Sequence, residues 1–127
     1  KKLGIESIVS FCGNQRDIVE RLTNADIFVH PAIWEEGFGI SIIEAMSCGK
    51  ICIASKKGAI PEIIEDGHNG FLVESNDETA LANKIMKIAE NMTTEQRMTL
   101  EKNAWMRAND FTIEKLLNEL HAFLERG

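Results

Sequence analysis

Three short apolar runs constrain the fold most: "DIFVH" (26–30), "ICIAS" (51–55) and "FLV" (71–73). None alternates polar with apolar positions, as a strand with one wet face would. Near-continuous apolar strands belong to parallel sheets covered on both faces. A fourth run, "SIVSF" (7–11), ends near Gly13 and also reads as a strand. Helical spacing separates these runs. "RDIVERLTNA" (16–25) carries Ile18, Val19 and Leu22, and "GISIIEAMSCG" (39–49) closes on Gly49. "EII" (62–64) allows one helical turn, and "EDGHNG" (65–70) is turn chemistry. Strand–helix alternation predicts the α/β class, an open parallel sheet flanked by helices.

The second half of the chain is helical. Ser75-x-x-Glu78 has the form of a capping box for a helix over 77–90, and Thr93-x-x-Gln96 offers the same over 94–107. The segment 112–125 sets Ile113, Leu116, Leu117, Leu120, Phe123 and Leu124 on one stripe, with Glu114, Lys115, Asn118 and Glu119 opposite. The 127 residues, 44% hydrophobic and 27% charged, suit one globular domain. The apolar runs are too short to span a bilayer, and Glu6 interrupts the only leader-like stretch. A cytoplasmic protein is expected. A formal charge of -6 argues against a nucleic-acid partner but leaves small anions open, because helix ends bind phosphate without net positive charge. Cys12, Cys48 and Cys52 are an odd set, expected as reduced thiols serving as small apolar filler. No second ligand pair supports zinc.

Within "EEGFGISIIEAM" (35–46), Glu36 precedes Gly37 and Gly39, and Glu44 stands eight positions after Glu36. On a helical wheel Ile42, Ile43, Ala45 and Met46 share the arc that covers the sheet, while Glu44 points away beside Ser41, Ser47 and Cys48. One reading is a solvated helix residue. The other comes from context. In an open parallel sheet, ligands sit beyond the carboxyl ends of the strands. The amides of Phe38, Gly39, Ile40 and Ser41 would be unpaired at a helix start and suited to phosphate. Gly37 and Gly39 would let a ligand approach the backbone closely. Glu44 could accept hydrogen bonds from ribose hydroxyls, and Glu36 from a second sugar. Phosphate between two polyols describes a nucleotide sugar.

At these residues the sequence resembles the donor-binding half of glycosyltransferase family 4, retaining nucleotide-sugar enzymes of the GT-B fold. Glu36 and Glu44 match its Glu-x7-Glu signature, with Phe38 and Gly39 in its Phe-Gly places. "EAMSCGKICIAS", "GAIPEIIEDGHNGFLV", "FCGN" (11–14) and "ADIFVHPAIWEEGFG" resemble four further family segments in order. The resemblance implies a Rossmann-like, partial carboxyl-terminal GT-B domain. It implies that Glu44 holds the donor ribose and that Glu36, the catalytic candidate, contacts the transferred sugar. The amides of Gly37, Phe38, Gly39 and Ile40 would bind sugar hydroxyls and the diphosphate, and the backbone at Gly13 and Asn14 the base. It further implies hexosyl transfer with retention, as in polysaccharide synthesis, no bound metal and no other cofactor. Charge stabilisation on the leaving diphosphate would carry the chemistry.

The family's upstream Arg and Lys and its amino-terminal acceptor domain do not occur in this sequence. Residues 1–127 are therefore expected to be one donor domain of a two-domain enzyme, inactive alone. The segment 110–127 either packs on its own sheet or crosses to the other domain. The polar face of that helix is not basic, which weakens a membrane-surface reading. A lipid-linked acceptor and peripheral membrane association of the whole enzyme stay open. The acceptor, base and sugar are not readable. The alternatives are a non-catalytic nucleotide-binding or interaction module of the same fold and an unrelated sugar-phosphate enzyme. Lys56 and Lys57 read as solvated loop lysines, and His30 as a structural turn residue; His68 and His121 lack catalytic partners in sequence. Trp34 is expected to pack against its loop, and Met86, Met92, Met98 and Met106 to fill the core.

Overall fold

The computed structural model describes residues 3–13, 18–34 and 39–126. In chain order its elements are α1 (Ile18–Thr23), β1 (Ile27–His30), α2 (Ile40–Ser47), β2 (Ile51–Ser55), α3 (Ile60–Ile63), β3 (Phe71–Val73), α4 (Glu78–Asn91), α5 (Thr94–Ala108), a 3-10 turn (Asn109–Phe111) and α6 (Ile113–Arg126). The strands form one parallel sheet in the order β1-β2-β3, with Ile27 opposite Ile51 and Ile53 opposite Phe71. All five residues of β2 are buried. Because successive side chains alternate faces, β2 divides the core in two. Cys52 and Ala54 join Ile42, Ala45 and Met46 of α2, Ile60 and Ile63 of α3, and Ala104 and Ala108 of α5. Ile51 and Ile53 join Val73, Ile88 of α4 and Leu100 of α5. Each fully buried isoleucine contributes about 1.5–3 kcal/mol of transfer free energy.

Local signals set the helix limits. α2 buries Ile42, Ala45 and Met46 while Ser41, Glu44 and Ser47 stay exposed, as the wheel predicts. It ends where Gly49 adopts φ 70, and there the Lys50 N–H donates to the Ala45 carbonyl (3.1 Å) and the Gly49 N–H to Met46 (2.9 Å). This is a Schellman arrangement, which a residue with a Cβ would strain. Lys50 also donates its ammonium to the Thr23 carbonyl at the end of α1, at 3.1 Å. α5 begins with the expected box: the Gln96 N–H donates to Thr93 Oγ1 (3.1 Å), and the Thr93 N–H donates to Gln96 Oε1 (3.0 Å).

Arg107 of α5 donates through Nε to the Ile63 carbonyl (3.1 Å) and through Nη2 to the Glu62 carbonyl (2.6 Å). Its Nη1 pairs with Asp110 at 2.8 Å, and its guanidinium lies 4.7 Å from the Phe111 ring centroid.

Several expectations are corrected. "SIVSF" forms no strand: Glu6–Ile8 make a turn, the Ile8 N–H donates to the Ile5 carbonyl (3.0 Å), and Phe11 is 97% exposed. β-branched content supplies no ladder partner, and a strand needs one. Ser75 does not cap α4. Asp77 does, accepting from the Ala80 N–H at 2.9 Å, while Ser75 Oγ donates to the Ala32 carbonyl. The turn read at 62–64 begins earlier, as α3, because Pro61 is pre-set for a first helical turn. Met86, Met98 and Met106 are more than half exposed rather than core, and Cys12 is exposed. α6 does not bury its stripe on the sheet: Leu117, Leu120, Phe123 and Leu124 are 50–69% exposed.

Thr93→Ala removes one half of the α5 box and should lower stability by about 1 kcal/mol in urea unfolding. The Arg107 hydrogen bond holds the Asp110 carboxyl below its ordinary value, helped by the nearby charges of Arg107 and Lys115 and partly opposed by desolvation. A lowered folded-state value stabilises the native state above the ordinary carboxylate range and loses that effect as pH falls through it. Asp110→Asn should therefore cost under about 1 kcal/mol at neutral pH, shrinking toward zero in acid, when the two unfolding curves are compared. A gap that widens in acid would contradict this pairing.

Candidate functional site

Parallel pairing brings His30, Ser55 and Val73, the last residues of the three strands, to one edge of the sheet. The connections leaving that edge are tied together. Ser75 Oγ donates to the Ala32 carbonyl at 2.9 Å, the Lys56 N–H donates to the Val73 carbonyl at 2.9 Å, and the Lys56 ammonium pairs with Glu74 at 3.3 Å. Lys56 is exposed, as expected of a solvated loop lysine, and its ion pair with Glu74 is a surface one. His30 stacks against Phe28 with ring centroids 6.4 Å apart, a structural placement.

The amino end of α2 is built at Gly39. This residue is buried, adopts φ 75 and ψ 40, and its carbonyl accepts from the Ile42 and Ile43 N–H groups, each at 3.1 Å. A Cβ there would stand 2.8 Å from Ile63 Cδ1. The left-handed conformation favours glycine here, and a Cβ would also have to displace the tip of the Ile63 side chain. The following amides, of Ile40 and Ser41, belong to the first turn, where no intrahelical acceptor exists, and carry the positive end of the helix dipole. Ile40 is 63% exposed. Glu44 lies one turn on, exposed, its carbonyl accepting from Ser47 Oγ at 2.6 Å.

Gly39, Ile40 and Glu44 therefore share one helix at the carboxyl edge. Gly13 is exposed, in the left-handed region at φ 61, with open space where a Cβ would stand. Asn14, Glu36, Gly37 and Phe38 lie outside the described residues. Trp34, at 62% exposure, is less packed than expected. Arg107 and Ser75 escaped the sequence reading as organisers of this edge, because their partners lie 44 and 43 residues away.

Burial raises the Cys52 thiol to about 12, so it stays neutral and unreactive. Among the described residues no group of three His, Cys, Asp or Glu side chains is placed to hold a metal ion, and no helix is long and apolar enough to cross a membrane. Among the described residues, concave spaces flank α5. One of about 540 Å3 lies between the turn at Gly67 and the α4–α5 pair, and one of about 430 Å3 between α3 and α5.

Residues 1–105 match the family described as glycosyl transferases group 1. The chain belongs to that family. Relatives within it include N-acetyl-alpha-D-glucosaminyl L-malate synthase of Bacillus anthracis, 33% identical over 119 residues, which cover 94% of this chain and 29% of that protein. The group 1 fold is shared with Anabaena Alr3699/HepE, solved with UDP and with UDP-glucose: the TM-score is 0.89 at 32% identity, covering 98% of this chain and 34% of that one. The carboxyl-terminal domain of the group 1 protein LpcC from Francisella tularensis superposes with a TM-score of 0.68 at 30% identity, over 81% of this chain and 51% of that one. The chain thus spans about a third of the length of the first relatives it matches. The expected fold, an open parallel sheet flanked by helices as in GT-B carboxyl-terminal domains, is the one observed.

Gly39→Ala should destabilise the protein by about 1–2 kcal/mol from left-handed strain alone. The urea midpoint measures it, and an unchanged midpoint would contradict the glycine-dependent cap.

Proposed function

We propose that this chain is the nucleotide-sugar donor-binding domain of a retaining family 4 glycosyltransferase, whose full enzyme transfers a hexosyl group to an acceptor. The observation that carries the reading is the amino end of α2 at the carboxyl edge, with glycine at Gly39 and an exposed carboxylate at Glu44 one turn on. The 32% identity to a protein solved with UDP-glucose supports it. In this reading the first-turn amides of α2 hold the diphosphate, and Glu44 accepts from the ribose hydroxyls. Gly37 and Phe38 complete the diphosphate cradle, Gly13 and Asn14 border the base, and Glu36 contacts the transferred sugar. No metal is required, because amides supply the positive field.

The exposed stripe of α6 at Leu117, Leu120, Phe123 and Leu124 is the proposed seat for an acceptor-binding domain. A donor site shared with that domain needs no enclosed pocket of its own. On this reading the chain binds donor but does not transfer sugar. The non-catalytic module of the same fold makes the same binding prediction and differs only in the whole protein's activity.

Amide NMR of the chain, titrated with UDP, GDP and ADP in the presence of a chelator, tests the reading. One nucleotide should shift Gly13 and Gly39–Glu44, and Glu44→Ala should weaken that binding about tenfold, the loss of roughly one charge-assisted hydrogen bond. Shifts confined to other surfaces, or binding that needs a divalent ion, would overturn it.

A further inference from the structure

We infer that Arg107 is a positioning residue for the amino end of α2, acting through α3 and Ile63. The inference rests on the donor-site reading only for its functional consequence. α3 has four residues, too few to be stable by its own hydrogen bonds. Its final carbonyls need donors from outside the helix. Arg107 supplies both: Nη2 to Glu62 at 2.6 Å and Nε to Ile63 at 3.1 Å. A planar guanidinium fixes two acceptors in one geometry, which a flexible ammonium does not. The guanidinium is itself oriented by Asp110 at 2.8 Å and by the Phe111 ring beneath it. So the end of α3 is set by a group that is itself held by two neighbours.

α3 in turn places Ile63, which is 3% exposed. Its Cδ1 occupies the space a Cβ on Gly39 would claim, 2.8 Å away. Ile63 therefore bounds the left-handed residue that starts α2. α2 also packs directly on α5, because Ile42, Ala45 and Met46 share one cluster with Ala104 and Ala108, and Ile63 belongs to the same cluster. Arg107 thus bears on the first turn of α2 through Ile63, in addition to that direct packing. Loss of the fork lets α3 shift, Ile63 follow, and the Gly39–Ser41 amides turn from a common focus.

The test compares amide spectra of the nucleotide-free protein and of Arg107→Gln, Arg107→Lys, Ile63→Val and Thr93→Ala. Ile63→Val removes only Cδ1. Thr93→Ala weakens the same helix, α5, at its far end. Arg107→Gln and Ile63→Val should each move the Gly39, Ile40 and Ser41 resonances, Arg107→Lys should move them less than Arg107→Gln, and Thr93→Ala should leave them in place. UDP affinity should fall by about two- to thirtyfold in Arg107→Gln, the range of such indirect couplings. Unmoved Gly39–Ser41 resonances in Ile63→Val overturn the inference, as does equal movement in Thr93→Ala. Unmoved resonances in a folded Arg107→Gln overturn it too, and if Arg107→Gln does not fold, Arg107→Lys takes its place in that comparison. If the resonances move as expected but the parent protein binds no nucleotide, the donor-site reading fails and the positioning role stands.

Discussion

The structure depends on covering a single strand from both sides. β2 has no solvent face, so each of its residues must be met by an apolar neighbour, and the two sides differ in size. Cys52 and Ala54 are small and let α2, α3 and α5 approach closely; Ile51 and Ile53 are large and reach toward α4. Among the described residues α5 is the helix that enters both clusters, through Leu100 on one side and Ala104 and Ala108 on the other. Its placement couples the two halves of the core, because close-packed interiors transmit small displacements.

The candidate site follows from that arrangement. Parallel strands deliver their exits to the same edge, and the crossover after β1 turns back at Gly39 as α2. Ile63 lies against Gly39 at that point. The opposite end of α2 is closed equally firmly at Gly49. A helix of eight residues with both ends defined by left-handed glycines has little freedom to slide along the sheet. Rigidity of this kind is what a backbone-amide binding site requires, since its donors have no rotamers with which to adapt.

Local chemistry was legible in the sequence, and distant chemistry was not. Continuous apolar runs revealed β1, β2 and β3 as parallel strands, but of the three only β2 is buried along its whole length, β1 being half-buried. Helical spacing gave the faces of α2, and Thr93 with Gln96 marked the start of α5, because each signal sits within four residues of what it controls. "SIVSF" failed because strand formation depends on a neighbouring edge, which composition does not encode. Ser75 reads as the cap, but Asp77, which follows Asn76 at φ 61, is the residue that caps the helix. The methionines suited the core by type, yet helix faces left three of them exposed. Arg107 was invisible because an arginine names no partner 44 residues distant. For the candidate site, Gly39 starts α2 and Glu44 is exposed on it, as the helical wheel indicated, while Glu36, Gly37, Phe38 and Asn14 lie outside the described residues.

The burial of Cys52 has a use beyond packing. Its thiol is sealed inside the strand on which both clusters rest, and it stays protonated until that strand is exposed. Cys12, by contrast, lies on the surface. With half-buried Cys48 between these extremes, a thiol reagent would separate the two limiting rates. Cys12 records simple collision with solvent, and Cys52 records only those rare openings in which the sheet comes apart. The molecule carries an internal timer of its own global unfolding, placed there by the requirement that β2 be dry.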